Sequence, residues 1–313
     1  MTEQLQAAAA FLRAHDCFDI LTHDYPDGDT LGSGYALCLV LQQMGKQARV
    51  ITTSVPSDFT FLQQDVLAQD FTTQTVVSVD VADEKLLGNN RAAYEGHIDL
   101  CIDHHMTNKV QAGVKLVDGK AAANCEILFK LFRLMDIQWT RAIANCLYTG
   151  VSTDTGCFRY SNTTAETLRI AADIMDIGCD TAFINKVMFE TKTKKKLALE
   201  REIYNTIEYY LDGKCAVIAA TLDIQQRVGV GDGELEGLSS IPRQIEGVLI
   251  GITMREKTPG EFKVSVRTNG DVKASDFCAR FGGGGHSAAA GCTVTGSLEE
   301  AKAKLTAAAA EFV

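Results

Sequence analysis

No stretch of this chain is long enough to cross a bilayer. Its longest unbroken aliphatic and aromatic run is Tyr35 to Leu41, far below the ~20 residues a spanning helix needs. The first residues, MTEQLQAAAAFLRAHD, lack a basic region ahead of their apolar stretch. They read as an amphipathic helix and not as a signal peptide, so the protein is expected in the cytoplasm. The 10 cysteines include no CxxC pair and no regular spacing, which argues against a structural zinc site or a disulfide framework. Reduced thiols filling small apolar gaps fit better. Positive charge is also scarce. With 30 Lys and Arg against 40 Asp and Glu, the formal charge is −10, which argues against a broad basic face for duplex DNA. Nucleotides stay within reach, because a local metal site or basic pocket can outweigh a negative surface. There is no internal repeat, and the alanine-rich patches at 7–10 and 307–310 are short helix formers.

What is present is the composition of an ordinary globular protein, 46% hydrophobic and 22% charged over 313 residues, with length enough for two domains. Up to about residue 190, strand-like runs alternate with helical ones. Phe18–Leu21, Ala48–Thr52, Thr75–Val79 and Asp99–Ile102 read as strands. Thr30–Met44, stopped by Gly45, reads as a helix, as do Glu126–Met135 and Arg141–Tyr148. Such alternation predicts a mostly parallel sheet covered on both faces. The mixed-charge stretch from Lys186 to Tyr210 predicts an exposed connecting helix. Beyond it, Ala216–Leu222 reads as a strand, and Val248–Met254 and Phe262–Arg267 form a hairpin around Thr258-Pro259-Gly260. A last helix starts at Ser297, with Glu300 completing a capping box. The expectation is a bilobed α/β protein with domains at 1–185 and 213–313, joined by a helical linker at 186–212.

Four clusters of acids and histidines follow these elements. The first, His23-Asp24-Tyr25-Pro26-Asp27-Gly28-Asp29, offers His23, Asp27 and Asp29 as donors on a loop shaped by Pro26 and Gly28. Asp80 stands at the exit of Val76–Val79, Asp103-His104-His105 follows Leu100–Ile102, and Asp154 lies within Thr149–Gly156. Ligands of open parallel sheets bind beyond the carboxyl ends of the strands, so clusters distant in sequence can converge there. So many carboxylates in one crevice repel one another unless a cation compensates. Carboxylate and imidazole donors without thiolates suit manganese best, with magnesium, cobalt or zinc as alternatives. Independent polar turns would account for one such cluster and poorly for four. Further on, the glycines of Phe281–His286 can cradle a phosphate with their N–H groups. A flexible loop is the bland alternative, and the small-residue run Ser287–Gly291 behind them favours a tightly packed turn.

The blocks HDYPDGDTLGS, VVSVDVAD, CIDHH and TGVSTDTG resemble the four motifs of the DHH phosphoesterase superfamily. SVRTNGDVKASDFCARFGGGGHSAAAG resembles the DHH-associated domain that ends in GGGGH. The compact two-domain form is similar to the NrnA-type nanoRNases, bifunctional oligoribonucleases and pAp phosphatases. The resemblance implies a DHH lobe that binds two divalent ions. His23, Asp27 and Asp80 would hold one, and Asp29, Asp80, His104 and Asp154 the other, with Asp80 bridging. His105 would face the phosphate, as an acid or a supporting group, and Asp103 would orient a neighbouring histidine. Arg267, Gly283, Gly284, Gly285 and His286 would grip the phosphate or sugar at the far end of the substrate, Arg267 bidentately.

The implied activity is hydrolysis of short RNA to mononucleotides, and removal of the 3′-phosphate of pAp, by a water activated between the metals. By analogy, substrates of two to roughly five nucleotides are favoured. A phosphodiesterase for c-di-AMP or pApA is the alternative. A RecJ-like single-strand exonuclease or a non-catalytic nucleotide-binding protein fits less well. No duplex DNA and no membrane partner are expected, and a homodimer is left open. Ser33 and Gly34 are expected to allow close helix packing, and Arg159, Tyr160 and Asn162 are candidates to line the cleft.

Overall fold

Short apolar runs bounded by polar turns become the strands of the first sheet. These are β1 (Phe18–Leu21), β2 (Ala48–Ile51), β3 (Thr75–Val79), β4 (Leu100–Asp103) and β5 (Val114–Val117). They pair in the order β2-β1-β3-β4-β5, every pair parallel. β1, β3 and β4 are buried along their whole length, as strands covered on both faces are. The computed structural model describes residues 1–231, 233–235 and 237–313, with His286 in its main chain alone. Among the described residues no helix is long and apolar enough to cross a membrane. The chain divides into two units, Met1–Thr191 and Lys192–Val313.

The helices of the first unit are α1 (Thr2–Ala14), α2 (Gly28–Gln43), the short α3 (Arg91–Tyr94), α4 (Asn124–Met135), α5 (Arg141–Asp154), α6 (Ala165–Ile177) and α7 (Thr181–Asn185). Sheets with this strand order take their ligands at the carboxyl ends of β1 and β3, where the winding reverses. Helices α2 and α5 pack very closely. A Cβ on Gly32 would lie 2.4 Å from the Cys146 carbonyl oxygen, and one on Gly28 would lie 2.3 Å from the Thr153 hydroxyl. The start of α2 therefore lies beside the end of α5, which brings Asp29 and Asp154 to the same end of the sheet. Ser33 and Gly34 are buried in the same helix.

Gly32→Ala tests this packing. Alanine gains roughly 1 kcal/mol in helix propensity, while overpacking costs about 1–3 kcal/mol. The obstacle here is main chain, which cannot swing aside as a side chain can. The cost therefore falls at the upper end of that range, and the expected net loss is up to ~2 kcal/mol, read as a lower urea midpoint. An unchanged midpoint would show that the two helices have slack.

In the second unit, α8 (Lys194–Tyr204), α9 (Leu222–Val228), α10 (Ala274–Ala279) and α11 (Leu298–Ala309) accompany a six-stranded sheet. Its strands are β6 (Glu208–Tyr210), β7 (Cys215–Ala220), β8 (Ile250–Thr258), β9 (Glu261–Thr268), β10 (Gly284–His286) and β11 (Ala289–Thr295), in the order β10-β11-β9-β8-β7-β6. Only β7 and β8 pair in parallel. Phe262, Val264 and Val266 of β9 form its core with Phe277 and Leu305, and α11 opens with the Ser297–Glu300 capping box. The cysteines are free, and burial pushes the thiols of Cys38 and Cys215 up to about 12.

Two stretches differ from the sequence expectation. Lys186 to Tyr210 is not one helix: a π-helical turn ends at Glu190 and Thr191 is extended. α8 then restarts, with the Thr193 side chain accepting from the Lys196 amide at 3.0 Å. A threonine that offers its own oxygen to the backbone favours such a break. Residues 208–210 join the sheet as β6. Leu222 likewise begins α9 instead of ending a strand, because Thr221 caps it.

Candidate active site

The chain leaves β1, β3 and β4 carrying a side chain with metal-donor atoms each time, and each is held by its local structure. Asp27 is the N-cap of α2 and accepts from the amides of Asp29 and Thr30 at 3.0 and 3.1 Å. Asp29, two residues on in the first turn, is fully buried and accepts from the Asn124 and Cys125 amides at 2.5 and 2.9 Å. The first N–H groups of α4 are thus satisfied by a carboxylate from another helix. Asp80 follows β3 in the left-handed region at φ +56°. Its amide donates to Ile102 O at 3.0 Å. The Thr30 hydroxyl donates to the carbonyl of its neighbour Val79 at 3.2 Å.

The histidines are fixed from behind. His104 Nδ1 lies 3.3 Å from Ala121 O, which directs Nε2 toward the acids: 3.3 Å from Asp80, 3.4 Å from Asp154 and 3.8 Å from Asp29. His23 Nε2 lies 3.8 Å from Asp27 and 3.9 Å from Asp80. His105 Nδ1 contacts Asp103 at 2.8 Å, and Asp103 also accepts from Asn108 at 2.7 Å. A histidine backed by a carboxylate is held in one orientation. Asp103→Asn is therefore expected to lower kcat by about 10–100-fold with metal content unchanged. Loss of bound metal in that variant would place His105 among the ligands instead.

This arrangement is electrostatically strained without a cation. Burial, then repulsion from Asp29, pushes Asp80 well above the usual carboxylate range, and Asp154 rises for the same reasons with Asp80 added. Asp154 also ends a helix, where a negative charge is disfavoured. Asp29 is raised, chiefly by burial. Burial works against a charged His104, yet Asp80, Asp29 and Asp154 together raise it to about 11. Asp27 and Asp103 go the other way: burial would raise them, but His23 and His105 respectively, with hydrogen-bond donors, hold them low. Asp80 Oδ1 is buried and accepts no hydrogen bond, although ring nitrogens of His104 and His105 stand 3.3 and 3.6 Å away. An orphaned carboxylate oxygen facing imidazoles is what a metal ion would satisfy. Donor atoms of His23, Asp27 and Asp80 lie within 4.8 Å of one another, as do those of Asp29, His104 and Asp154, and of Asp80, His104 and His105. The residues present fit divalent cations.

Above these groups lies a cavity of about 340 Å³, lined also by Asp24, Tyr25, Lys85, Leu86 and Gly88. Arg159, Tyr160 and Asn162 are not in its lining. Asn162 instead ties the Asp154 carbonyl to that of Ala122, donating 3.1 Å to each. The supports Asn108, Ala121 and the α4 amides were not picked out in the sequence. Asn108, three residues past His105, was the one with a visible signal, a short polar side chain in a loop beside the acid it fixes. Main-chain donors leave no trace in residue type.

In the second unit Gly284–His286 are a strand, not a loop. β10 is an edge strand of the sheet, paired with β11 on one side, and an edge strand turns part of its main-chain N–H and C=O groups away from the sheet. Glycine is needed because a Cβ on Gly283 would fall 2.1 Å from Gly291 O, and one on Gly285 would fall 2.6 Å from Ala289 O. Arg267 pairs with Ala289, and Ala289 with His286, so the three occupy one row across three strands. Arg267 is half-buried and donates to Val266 O at 3.1 Å. The His286 side chain lies outside the described residues.

Residues 18–151 match the DHH family, N-terminal domain, and residues 214–313 match the DHHA1 domain. The chain is 30% identical to a bifunctional oligoribonuclease and PAP phosphatase NrnA of Thermus thermophilus, over 99% of this chain and 94% of that protein. It is 28% identical to a probable enzyme of the same name from Streptococcus mutans, over 90% and 91%. Its fold is shared by the crystal structure of an exopolyphosphatase-related protein from Bacteroides fragilis, over 100% and 97% of the two chains, with a TM-score of 0.89 and 24% identity.

Proposed function

The chain belongs to the DHH family, and from that premise we propose that it is a metal-dependent phosphoesterase that hydrolyses short oligoribonucleotides to mononucleotides and dephosphorylates pAp. The observation that carries this reading is Asp80: one buried carboxylate within 4 Å of three histidines from two other loops, shared between donor sets on either side. His23, Asp27 and Asp80 would hold one cation, and Asp29, Asp80, His104 and Asp154 a second, manganese being the best match to these donors. Bound divalent cations would lower the pKa of a water and offset charge on the entering and leaving oxygens.

The chain's own groups do the rest. Asp27 and Asp29 are pre-organised by helix amides, so they need no rearrangement to face a cation. Asp103 holds His105 by Nδ1 at the wall of the cavity, where the imidazole can hand a proton to the leaving oxygen. Arg267, the edge strand at Gly284 and Gly285, and His286 are proposed to hold a substrate phosphate or sugar away from the cut, with Arg267 as a bidentate donor; Gly283, expected to join them, instead donates its amide to Cys278 O at 2.9 Å.

The test is product formation with manganese from a two-nucleotide RNA, a long single strand, pAp and c-di-AMP in parallel. Fast cleavage of the dinucleotide and pAp, with the long strand spared, is expected. Faster turnover of c-di-AMP would move the assignment to second-messenger degradation, and inactivity on all four would remove the substrate claim.

A further inference from the structure

The cavity wall that is neither acid nor histidine comes from two loops, the one leaving β1 and the 3-10 segment leaving β3. They are fastened together. The Asp24 amide donates to Leu86 O at 2.7 Å, and the Thr53 hydroxyl donates to Asp24 O at 2.8 Å. Gly88, at φ +53°, lies so close to Asp24 that a Cβ would fall 2.1 Å from its Cγ. On this built rim stand two large side chains that serve no core: Tyr25 is 79% exposed and Leu86 46%. Such residues scattered singly need no explanation. Two on one rim, with polar groups converging below, have the make-up of a ligand site.

Lys85, next to Leu86 in the chain, lines the same cavity, and its main chain is fixed by the Asp83 cap at 3.0 Å. Among the described residues its ammonium makes no ion pair and no hydrogen bond, although Asp24, Asp27, Asp80 and Asp154 line the same cavity. Those carboxylates that are paired turn to histidines. A lysine beside so many acids and bound to none is left for an anion that a ligand brings.

We propose that Tyr25, Leu86 and Lys85 form a mononucleotide subsite: the base lies against Tyr25 and Leu86, and Lys85 takes a phosphate oxygen. The inference rests on the phosphoesterase reading and names how that site holds the nucleotide at the cut. Aromatic stacking accepts any base, since every base has a π-face, so the subsite selects a nucleoside and not its sequence.

The chain has one tryptophan, Trp139, packed beside Phe129 and Phe132. Tyr25→Trp therefore adds an exposed indole whose emission reports on this rim alone. With manganese present, AMP is expected to quench that emission and to bind about 10-fold or more tightly than ribose 5-phosphate, which should not quench. By calorimetry, Tyr25→Ala should bring AMP down to the affinity of ribose 5-phosphate, while Lys85→Met weakens both ligands alike. Unaltered emission with AMP, or full discrimination persisting in Tyr25→Ala, overturns the subsite. In a chain that still cleaves the dinucleotide, that result leaves the phosphoesterase standing. Emission needs no turnover, so quenching in a chain inactive on every substrate supports the subsite and counts only against the hydrolytic reading.

Discussion

Asp80→Asn is expected to lower turnover on the order of 10³-fold or more, at any manganese concentration, while raising the melting temperature of the metal-free chain. The two effects share a cause. Asp80 belongs to two of the donor sets and contacts three histidines, so no second carboxylate can stand in for it. Losing several kcal/mol of charge stabilisation translates to roughly three decades or more in rate. Without a cation, however, the same carboxylate is buried and repelled by Asp29, and in turn repels Asp154, so its charge opposes folding. Asparagine keeps the shape without that charge. It also tolerates the left-handed φ of +56°, which alanine would meet with added strain. Relief of even one pKa unit of repulsion is worth about 1.4 kcal/mol, or roughly 3–5 °C for a domain of this size. Turnover within tenfold of the parent would sink the two-metal account. A lowered metal-free melting temperature would sink the claim of buried repulsion.

The sequence showed the parts of this site that residue chemistry advertises. Strands β1 and β3 begin and end where their apolar runs do, and His23, Asp80, His104 and His105 follow strands because loops at one end of a parallel sheet must carry the ligands. Asp154 was readable as an acid but not as the end of a helix. Thr149-Gly150-Val151-Ser152-Thr153 has poor helix propensity, which packing overrides: a Cβ on Gly150 would lie 2.3 Å from Cys125 Sγ. β5, only four residues long, gives too short a pattern to separate from a loop. The glycine run was legible as a place where side chains are forbidden. That the forbidding neighbour is β11, which makes the run a strand and not a nest, depends on long-range pairing that no local pattern encodes. Lys85 and Tyr25 carry no signal of a site in the sequence for a similar reason, since an exposed lysine and an exposed tyrosine are ordinary unless a cavity lies beside them.

Chelation should lower the melting temperature by about 10 °C or more at pH 8 and by only a few degrees at pH 5. One cation at a thousandfold excess over its Kd stabilises by roughly 4 kcal/mol, two by about twice that. At 2–4 °C per kcal/mol this exceeds ~10 °C. The pH dependence follows from the groups the cations would replace. In the metal-free chain Asp29, Asp80 and Asp154 sit above their ordinary values, and His104 is raised to about 11. A raised group helps folding fully below its unfolded value, about 3.9 for aspartate and 6.5 for histidine, and loses that help as pH climbs through the folded value. The metal-free chain therefore weakens above roughly pH 4 through its aspartates and again above about 6.5 through His104. Cations require the same ligands deprotonated, so they bind more tightly as pH rises. The two trends diverge, and the gap between metal-loaded and chelated melting curves must widen from pH 5 to 8. Scanning calorimetry with and without EDTA at three pH values reads it directly. Ionic strength is constant across each pair, so general screening cannot produce the widening. A gap of equal size at all three would mean that protons and metal do not compete for one site.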